Sequence, residues 1–348
     1  MRFEGAWTAI VTPMTADGRV DWAGIEENIE FQISQGITGL VPSGTTGESP
    51  TLGWDEHNLV IETALRLAKG KCEVLAGTGS NSTSETFEST KHAAEHGAEA
   101  VLLVDCYYNG PSSLELREEY HGAVAREFPR VSIVPYVIPG RTGTALLPED
   151  LAILAGECPN VHAVKEATGD LDRMAKTRAL LGKEFAILSG DDDLTFRMMT
   201  DPMIAANGVI SVVSNVAPAA VEQMTRKALA GDLAGAEKLM KALAPLFGVV
   251  TVKVDNERIL PNSVKVTVND RFRNPLAIKT LMSALGMPSG PCRRPLGKMT
   301  RTGVRIVRNA LKQVLATNSE ILTPIQKFYG VDIEARLADD DIWNDLTR

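Results

Sequence analysis

Eight short apolar segments recur along the chain, each closed by turn residues and most followed by a helical pattern. They are Trp7 to Thr12, Gly39 to Pro42, Val74 to Gly77, Ala100 to Cys106, Val131 to Ile138, Val161 to Lys165, Phe185 to Ser189 and Gly208 to Val213. Short apolar, β-branched runs of this kind read as parallel strands buried on both faces. Strand and helix alternating eight times in about 210 residues is the arithmetic of a closed (β/α)8 barrel, the TIM-barrel form of the α/β class. An open doubly wound sheet would want a Gly-x-Gly-x-x-Gly turn opening its first helix. The nearest candidate, Gly77-Thr78-Gly79-Ser80-Asn81-Ser82, follows the third strand and lacks the final glycine.

Helix boundaries are marked in several places. Asp21 can cap a helix ending near Gln35-Gly36, and Asp55-Glu56 opens one running to Lys69-Gly70. Ser82 and Glu85 have the spacing of a capping box before a helix to His96-Gly97, and Pro148 suits a first turn. A helix is expected from about Leu171 to Leu181. After the eighth strand the pattern turns helical: Pro218 to Gly231, Leu233 to Leu246, Pro275 to Leu285 and Thr300 to Leu315. Two alternating runs around Asn256 and Pro261-Asn262 predict a small β-hairpin near 252–268. The division expected is a barrel over 1–217, a C-terminal helical domain over 218–315 and an extension over 316–348, the last holding one or two short helices. Asp339-Asp340-Asp341 reads there as a solvated or capping cluster.

The 348 residues are 44% hydrophobic and carry a formal charge of −8, so a large core is available and no basic excess exists to neutralise phosphates. Nucleic acid and anionic membranes are therefore not expected partners. The four cysteines, Cys72, Cys106, Cys158 and Cys292, form no CxxC pair, a reducing-compartment pattern. His92 and His96 lie one helical turn apart and lack an acidic partner in a metal-ligand pattern, so no metal site is expected there. No apolar run reaches the roughly 20 residues of a membrane span. A soluble cytoplasmic protein is the expectation.

In a barrel, residues just after each strand converge on one face. The second strand ends in Ser43-Gly44-Thr45-Thr46-Gly47-Glu48-Ser49, whose amides can cradle a carboxylate. The fourth ends in Tyr107-Tyr108-Asn109. The fifth delivers Tyr136 and, after a Pro-Gly turn, Arg141. The sixth ends on Lys165 and the seventh in Ser189-Gly190-Asp191-Asp192-Asp193. A lysine at the end of a core strand either finds a carboxylate or has its pKa lowered towards neutrality, which makes it a nucleophile. The set suits imine chemistry on a 2-oxo acid: an amine captures the ketone, the protonated imine draws a proton off the next carbon, and hydroxyls carry protons. No metal, flavin or nucleotide ligand set accompanies it.

Gly44-Thr45-Thr46-Gly47-Glu48, Tyr136 with Pro139 and Arg141-Thr142-Gly143, Lys165-Glu166-Ala167-Thr168-Gly169, Ser189-Gly190-Asp191-Asp192 and Gly208-Val209-Ile210-Ser211 resemble, in order and over about Gly5 to Leu311, the dihydrodipicolinate synthase and N-acetylneuraminate lyase superfamily of lysine-dependent aldolases. The resemblance implies a barrel with a C-terminal helical domain, assembled as a tetramer of two tight dimers. It implies that Lys165 forms the imine, Tyr136 relays protons beside it, Thr45 links Tyr136 to a second tyrosine, and Thr45 with Thr46 holds the pyruvate carboxylate. Tyr108 matches the residue that reaches into the neighbouring subunit's site. Gly190 and Ile210 match positions lining the site through their backbone. Arg141 and the Thr45-Thr46 doublet point to the branch that condenses pyruvate with aspartate semialdehyde, without a cofactor, in lysine and diaminopimelate biosynthesis. Sialic acid lyases and 2-keto-3-deoxy sugar acid aldolases form the alternative, and a non-catalytic binding barrel the rival of another class.

The chain departs from the family pattern in places. Val137 stands where asparagine is usual and Asp105-Cys106 where Thr-Pro is usual, so Val137 and Cys106 are expected to alter the pocket wall. The hairpin and the chain beyond about Gln313 read as additions that cover the helical domain or a subunit contact. Ser49, His57, Asn81, Glu85 and Tyr107 match an allosteric lysine pocket of some relatives, while Trp54 stands where others carry histidine.

Overall fold

The computed structural model describes all 348 residues. Eight parallel strands, β1 (Gly5–Ala9), β2 (Gly39–Val41), β3 (Glu73–Gly77), β4 (Ala100–Val104), β5 (Ser132–Val137), β6 (Ala163–Glu166), β7 (Ala186–Ser189) and β8 (Gly208–Ser211), close into a barrel. Closure is explicit in β1, which pairs Trp7 with Gly39 of β2 and Gly5 with Gly208 of β8. Trp7 fills the lumen with Leu75, Leu102, Val134, Leu188 and Ile210, a packed interior. Gly39 makes room for that indole, because a Cβ there would lie 2.2 Å from Trp7 Cε3.

The helices form where capping chemistry and apolar spacing coincide. Asp21 Oδ1 accepts from Gly24 N at 3.0 Å and starts the helix Trp22–Ser34. Asp170 does the same for Leu171–Leu181 through Arg173 N, and Pro148 occupies the first turn of Pro148–Glu157. The helix opened by Asp55-Glu56 starts one residue earlier, at Trp54. The expected capping box at Ser82 does not form. Its hydroxyl pairs with that of Ser84 at 2.9 Å, and Glu85 accepts instead from Ser80 Oγ. A hydroxyl–carboxylate hydrogen bond outcompetes a reach back to a neutral amide.

Helices Pro218–Leu229 and Leu233–Phe247 follow the barrel, then an antiparallel hairpin of β9 (Thr251–Ile259) and β10 (Lys265–Arg273), then helices Leu276–Leu285 and Arg301–Asn318. The hairpin is longer than 252–268 at both ends. Val252 and Val254 are buried on one of its faces, whereas Thr251, Lys253, Arg271 and Arg273 share the other by the register Arg271↔Lys253 and Arg273↔Thr251. The extension folds into three short helices, Thr323–Tyr329, Ile333–Ala338 and Asp340–Asp345, one more than the upper expectation. Asp339 Oδ1 caps the last through Asp341 N at 2.9 Å, and Asp340 pairs with Arg308 at 2.6 Å. The extension straps the molecule: Tyr329 Oη donates to Asn28 Oδ1 at 2.9 Å, and Arg336 donates to the Ala284 and Ser283 carbonyls. No helix is long and apolar enough to cross a membrane.

Candidate active site

Lys165 and Tyr136 are register partners on β6 and β5, so their side chains point the same way, into the barrel mouth. Lys165 is 6% exposed, and its Nζ stands 4.0 Å from the centroid of the Tyr136 ring. Burial drives the ammonium down to about 7, against the opposing pull of Asp191 and Asp192. A large fraction of the amine is therefore neutral near pH 7 and can act as a nucleophile. Burial pushes the Tyr136 phenol up to about 12, with Arg141 and the Thr45 hydroxyl drawing it back. It stays protonated wherever Lys165 has lost its proton. Asp191 is raised to about 6 by burial first and by Asp193 next.

The register also explains why Val137 does not shape the pocket. Val137 pairs with Glu166, one residue on, and both point outward into the layer between strands and helices. Glu166 is fully buried there against Arg173, 3.2 Å away, and Cys106 packs in the same layer. The expectation that Val137 and Cys106 alter the pocket wall is overturned: the period of two along β5 turns Val137 outward, and Cys106, past the end of β4, is packed in that same outer layer. Asp105 likewise turns away, accepting from His121 Nε2 at 2.8 Å and Leu146 N at 3.1 Å.

The cleft at the strand ends has a volume near 370 Å³ and is lined by Thr45, Thr46, Tyr136, Arg141, Lys165, Gly190 and Asp191, with Val212, Arg271, Arg273 and Asn274 among its other walls. Gly190 is needed for close approach, since a Cβ there would meet Ala167 Cβ at 2.6 Å and Lys165 Cε at 3.1 Å. Gly190→Ala is expected to slow reaction of the Lys165 amine with a small keto compound on the order of 100-fold by displacing the amine. The rate at which borohydride-trapped adduct accumulates checks this, and a wild-type rate would show that the amine tolerates the methyl group.

The Ser43–Ser49 turn is held in an unusual shape, with Ser43 at φ 53° and Glu48 at φ 58°. Left-handed conformations at non-glycine residues persist only under external restraint. Here the restraint is a fully buried ion pair, Lys279 Nζ to Glu48 Oε1 at 2.6 Å, with Nζ also donating to the Thr12 and Pro291 carbonyls at 3.0 Å. Glu48 Oε2 accepts from Arg293 N at 2.8 Å. Thr46 Oγ1 accepts from Asn274 Nδ2 at 2.9 Å, while Asn274 Oδ1 is buried without a partner. Two further bonds join the Arg141 turn to the hairpin base: Arg141 Nη2 to Asn274 O at 2.9 Å and Arg273 Nη1 to Gly140 O at 2.6 Å.

Asn274, Arg271 and Arg273 are the cleft residues that sequence reasoning missed; an Asn-Pro pair at the end of a basic strand was the available signal. Ile210 lies in the barrel interior, and Val212 from the same strand end faces the cleft instead. Tyr108 is 91% exposed and held at φ 78°, outside the cleft of its own chain. Tyr107 and Ser49 line a cavity of about 220 Å³ that shares Thr45, Tyr136 and Arg141 with the cleft. Beside it, His57 is buried with its pKa pushed down to about 4, Glu85 holds Ser80, and Asn81 is exposed. His92 does have an acidic neighbour, in space: Glu62 Oε1 lies 2.8 Å from His92 Nε2 and 3.9 Å from His96 Nε2. These three could offer ligand atoms to a metal, on the outer helices away from the cleft lining.

A near-neutral amine, a protonated phenol beside it, a turn of amides and hydroxyls, and arginines in one cleft can form and turn over an imine. Known proteins carry the same architecture. The model of the dihydrodipicolinate synthetase family matches residues 2–314. The 4-hydroxy-tetrahydrodipicolinate synthase of Methanothrix thermoacetophila is 39% identical over 313 residues, 90% of this chain and 97% of the relative. The solved dihydrodipicolinate synthase from Aquifex aeolicus superposes with a TM-score of 0.79 at 38% identity, over 89% of this chain and 98% of its own. The chloride-inhibited dihydrodipicolinate synthase from Acinetobacter baumannii, solved in complex with pyruvate, superposes at 0.79 with 35% identity, over 90% and 99%. Matched in sequence and in fold across nearly the whole of these relatives, the chain belongs to the dihydrodipicolinate synthetase family.

Proposed function

We propose that the protein is a 4-hydroxy-tetrahydrodipicolinate synthase, a lyase that condenses pyruvate with L-aspartate 4-semialdehyde through an imine on Lys165. The observation that carries this reading is the Lys165 amine, buried against Tyr136 in a cleft that also holds Thr45, Thr46 and Arg141. The amine attacks the keto carbon, and Tyr136 supplies and recovers the protons as the carbinolamine loses water. The protonated imine then acts as electron sink while C3 of pyruvate gives up a proton, and the resulting enamine carbon adds to the aldehyde. Attack of the acceptor's own amine on the imine carbon closes the ring and returns Lys165. The imine supplies the electron sink, so the reading calls for no separate cofactor.

Thr45 and Thr46 hold the pyruvate carboxylate in this reading, Gly190 lends the amine its clearance, and Arg141 meets the acceptor's carboxylate. The exposure of Tyr108 supports a tight dimer in which each protomer lends this tyrosine to its partner's relay, within a cytoplasmic tetramer. Ser49, His57, Asn81, Glu85 and Tyr107, of which Ser49 and Tyr107 line the adjoining cavity, would be the place for end-product lysine. Borohydride reduction with pyruvate and peptide mapping should label Lys165; an unlabelled Lys165 ends the proposal.

Ionisation gives a further test. Asp191 raises the Lys165 pKa, so Asp191→Asn should move the rise of imine formation with pH to lower pH. In the wild type the rise should be centred near 7, where Lys165 sheds its proton, with no fall from Tyr136 below about 12. A pH profile of single-turnover imine formation reads both; an unshifted profile in the variant removes Asp191 from the amine's surroundings.

A further inference from the structure

We infer that Arg271 and Arg273, carried on the hairpin, form with Arg141 an anion subsite that receives the carboxylate of the acceptor aldehyde. The inference rests on the pyruvate–aldehyde reading above and moves part of acceptor specificity out of the barrel and onto β10.

Three observations carry it. At its base the hairpin buries Val252 and Val254 in the core on one face and carries Arg271 and Arg273 on the other, where both line the cleft. Anchoring of this kind holds the arginines in place without using their charge. Next, Arg141, Arg271 and Arg273 meet at one cleft and bond only carbonyl oxygens where they bond at all, Asn274 O and Gly140 O. Arg258, farther along the same hairpin and on its other face, is by contrast paired with Asp270 at 2.6 Å. Finally, the charges of Arg273 and Arg271 bear on Arg141, acting with its burial to lower its pKa.

Like charges gathered on one wall of a cavity, none of them ion-paired, raise the free energy of the empty site, and an anionic ligand bound among them relieves it. Guanidinium groups bind carboxylates in a planar, two-bond geometry, so the ligand class that fits is a carboxylate. Pyruvate's own carboxylate is already provided for by the Thr45-Thr46 turn. The arginines are thus left for the second substrate. Asp191 and Asp193 line the same cleft, so an acceptor carrying an ammonium next to its carboxylate meets both signs of charge.

The test is the double variant Arg271→Gln/Arg273→Gln in the full-length enzyme, with initial rates against L-aspartate semialdehyde and, separately, against pyruvate. The expected result is a loss of about 10- to 100-fold in kcat/KM for the aldehyde, carried mainly by KM. Borohydride trapping of pyruvate on Lys165 and the KM for pyruvate should stay within about twofold of wild type. An unchanged aldehyde KM overturns the inference, and so does an equal loss for both substrates, which would make the hairpin a structural cover only. Because Arg273 also tethers Gly140, the exposed Arg271→Gln alone keeps the question answerable should the double variant fold poorly; it should raise the aldehyde KM several-fold, and Arg271→Lys should recover part of that. Failure of the underlying reading is separate, since wild-type enzyme would then trap no pyruvate.

Discussion

Lys165→Met is expected to abolish pyruvate capture and yet to leave a protein more stable than the wild type near neutral pH. Without the amine no imine can form, so turnover should fall by roughly 10⁴-fold or more, the scale seen when a covalent nucleophile is removed. The stability gain follows from linkage. Burial lowers the Lys165 pKa from 10.5 to about 7, so between those values the unfolded chain binds a proton that the native chain does not. Wild-type stability therefore rises with pH across that window, and the penalty is fully present below pH 7. A shift of this size corresponds to a cost on the order of 4–5 kcal/mol. Methionine fills a similar volume with no charge to desolvate. Denaturant unfolding at pH 6 should show the variant ahead by a few kcal/mol, the scale set by the shift, with the advantage fading towards pH 10. Equal stability at both pH values would mean that the amine is solvated and carries no burial cost.

Lys279→Met should do the opposite. Its ammonium and the Glu48 carboxylate are both 1% exposed, and all three Nζ donors are used. Removing the lysine leaves a buried carboxylate with only the Arg293 amide, at a cost of about 3–5 kcal/mol. Glu48 sits in the left-handed region and ends the turn that presents Thr45 and Thr46, so the loss should also reach the site. The pyruvate KM is expected to rise along with the fall in denaturant midpoint. Pairing the change with Glu48→Gln should recover part of the stability, because no lone charge then remains buried. If Lys279→Met unfolds at the wild-type denaturant concentration, the pair does not hold the turn.

The two lysines show how differently sequence and tertiary structure speak. Lys165 was legible because the features that set it at the barrel mouth are local or repeat along the chain. An apolar strand ends on it, a Thr-Gly-Asp turn follows, and Asp170 caps the next helix as expected. Strand spacing placed Tyr136, Gly190 and the Thr45-Thr46 turn at the same mouth. Lys279 lies in an apolar helix and carried no such mark; its partner is more than two hundred residues away, and only packing brings them together. Glu62 escaped notice beside His92 for the same reason. Val137 stands where the family pattern has asparagine, yet it faces away from the pocket, because neighbours along a strand face opposite ways.

By itself the sequence determined the closed barrel, its eight strands, the helical C-terminal segment and the amine with its phenol and hydroxyls at the strand ends. Hydrophobic period, turn residues and capping groups are local signals, and they survive being read one window at a time. Tertiary structure alone decided that the base of the β9–β10 hairpin lines the cleft, that Asn274 clasps Thr46, and that Arg271 and Arg273 turn to the cleft beside Arg141. Those outcomes depend on which distant surface an apolar face finds to bury against. That choice is set by the free energy of the whole packed chain and leaves no mark in any short stretch of it.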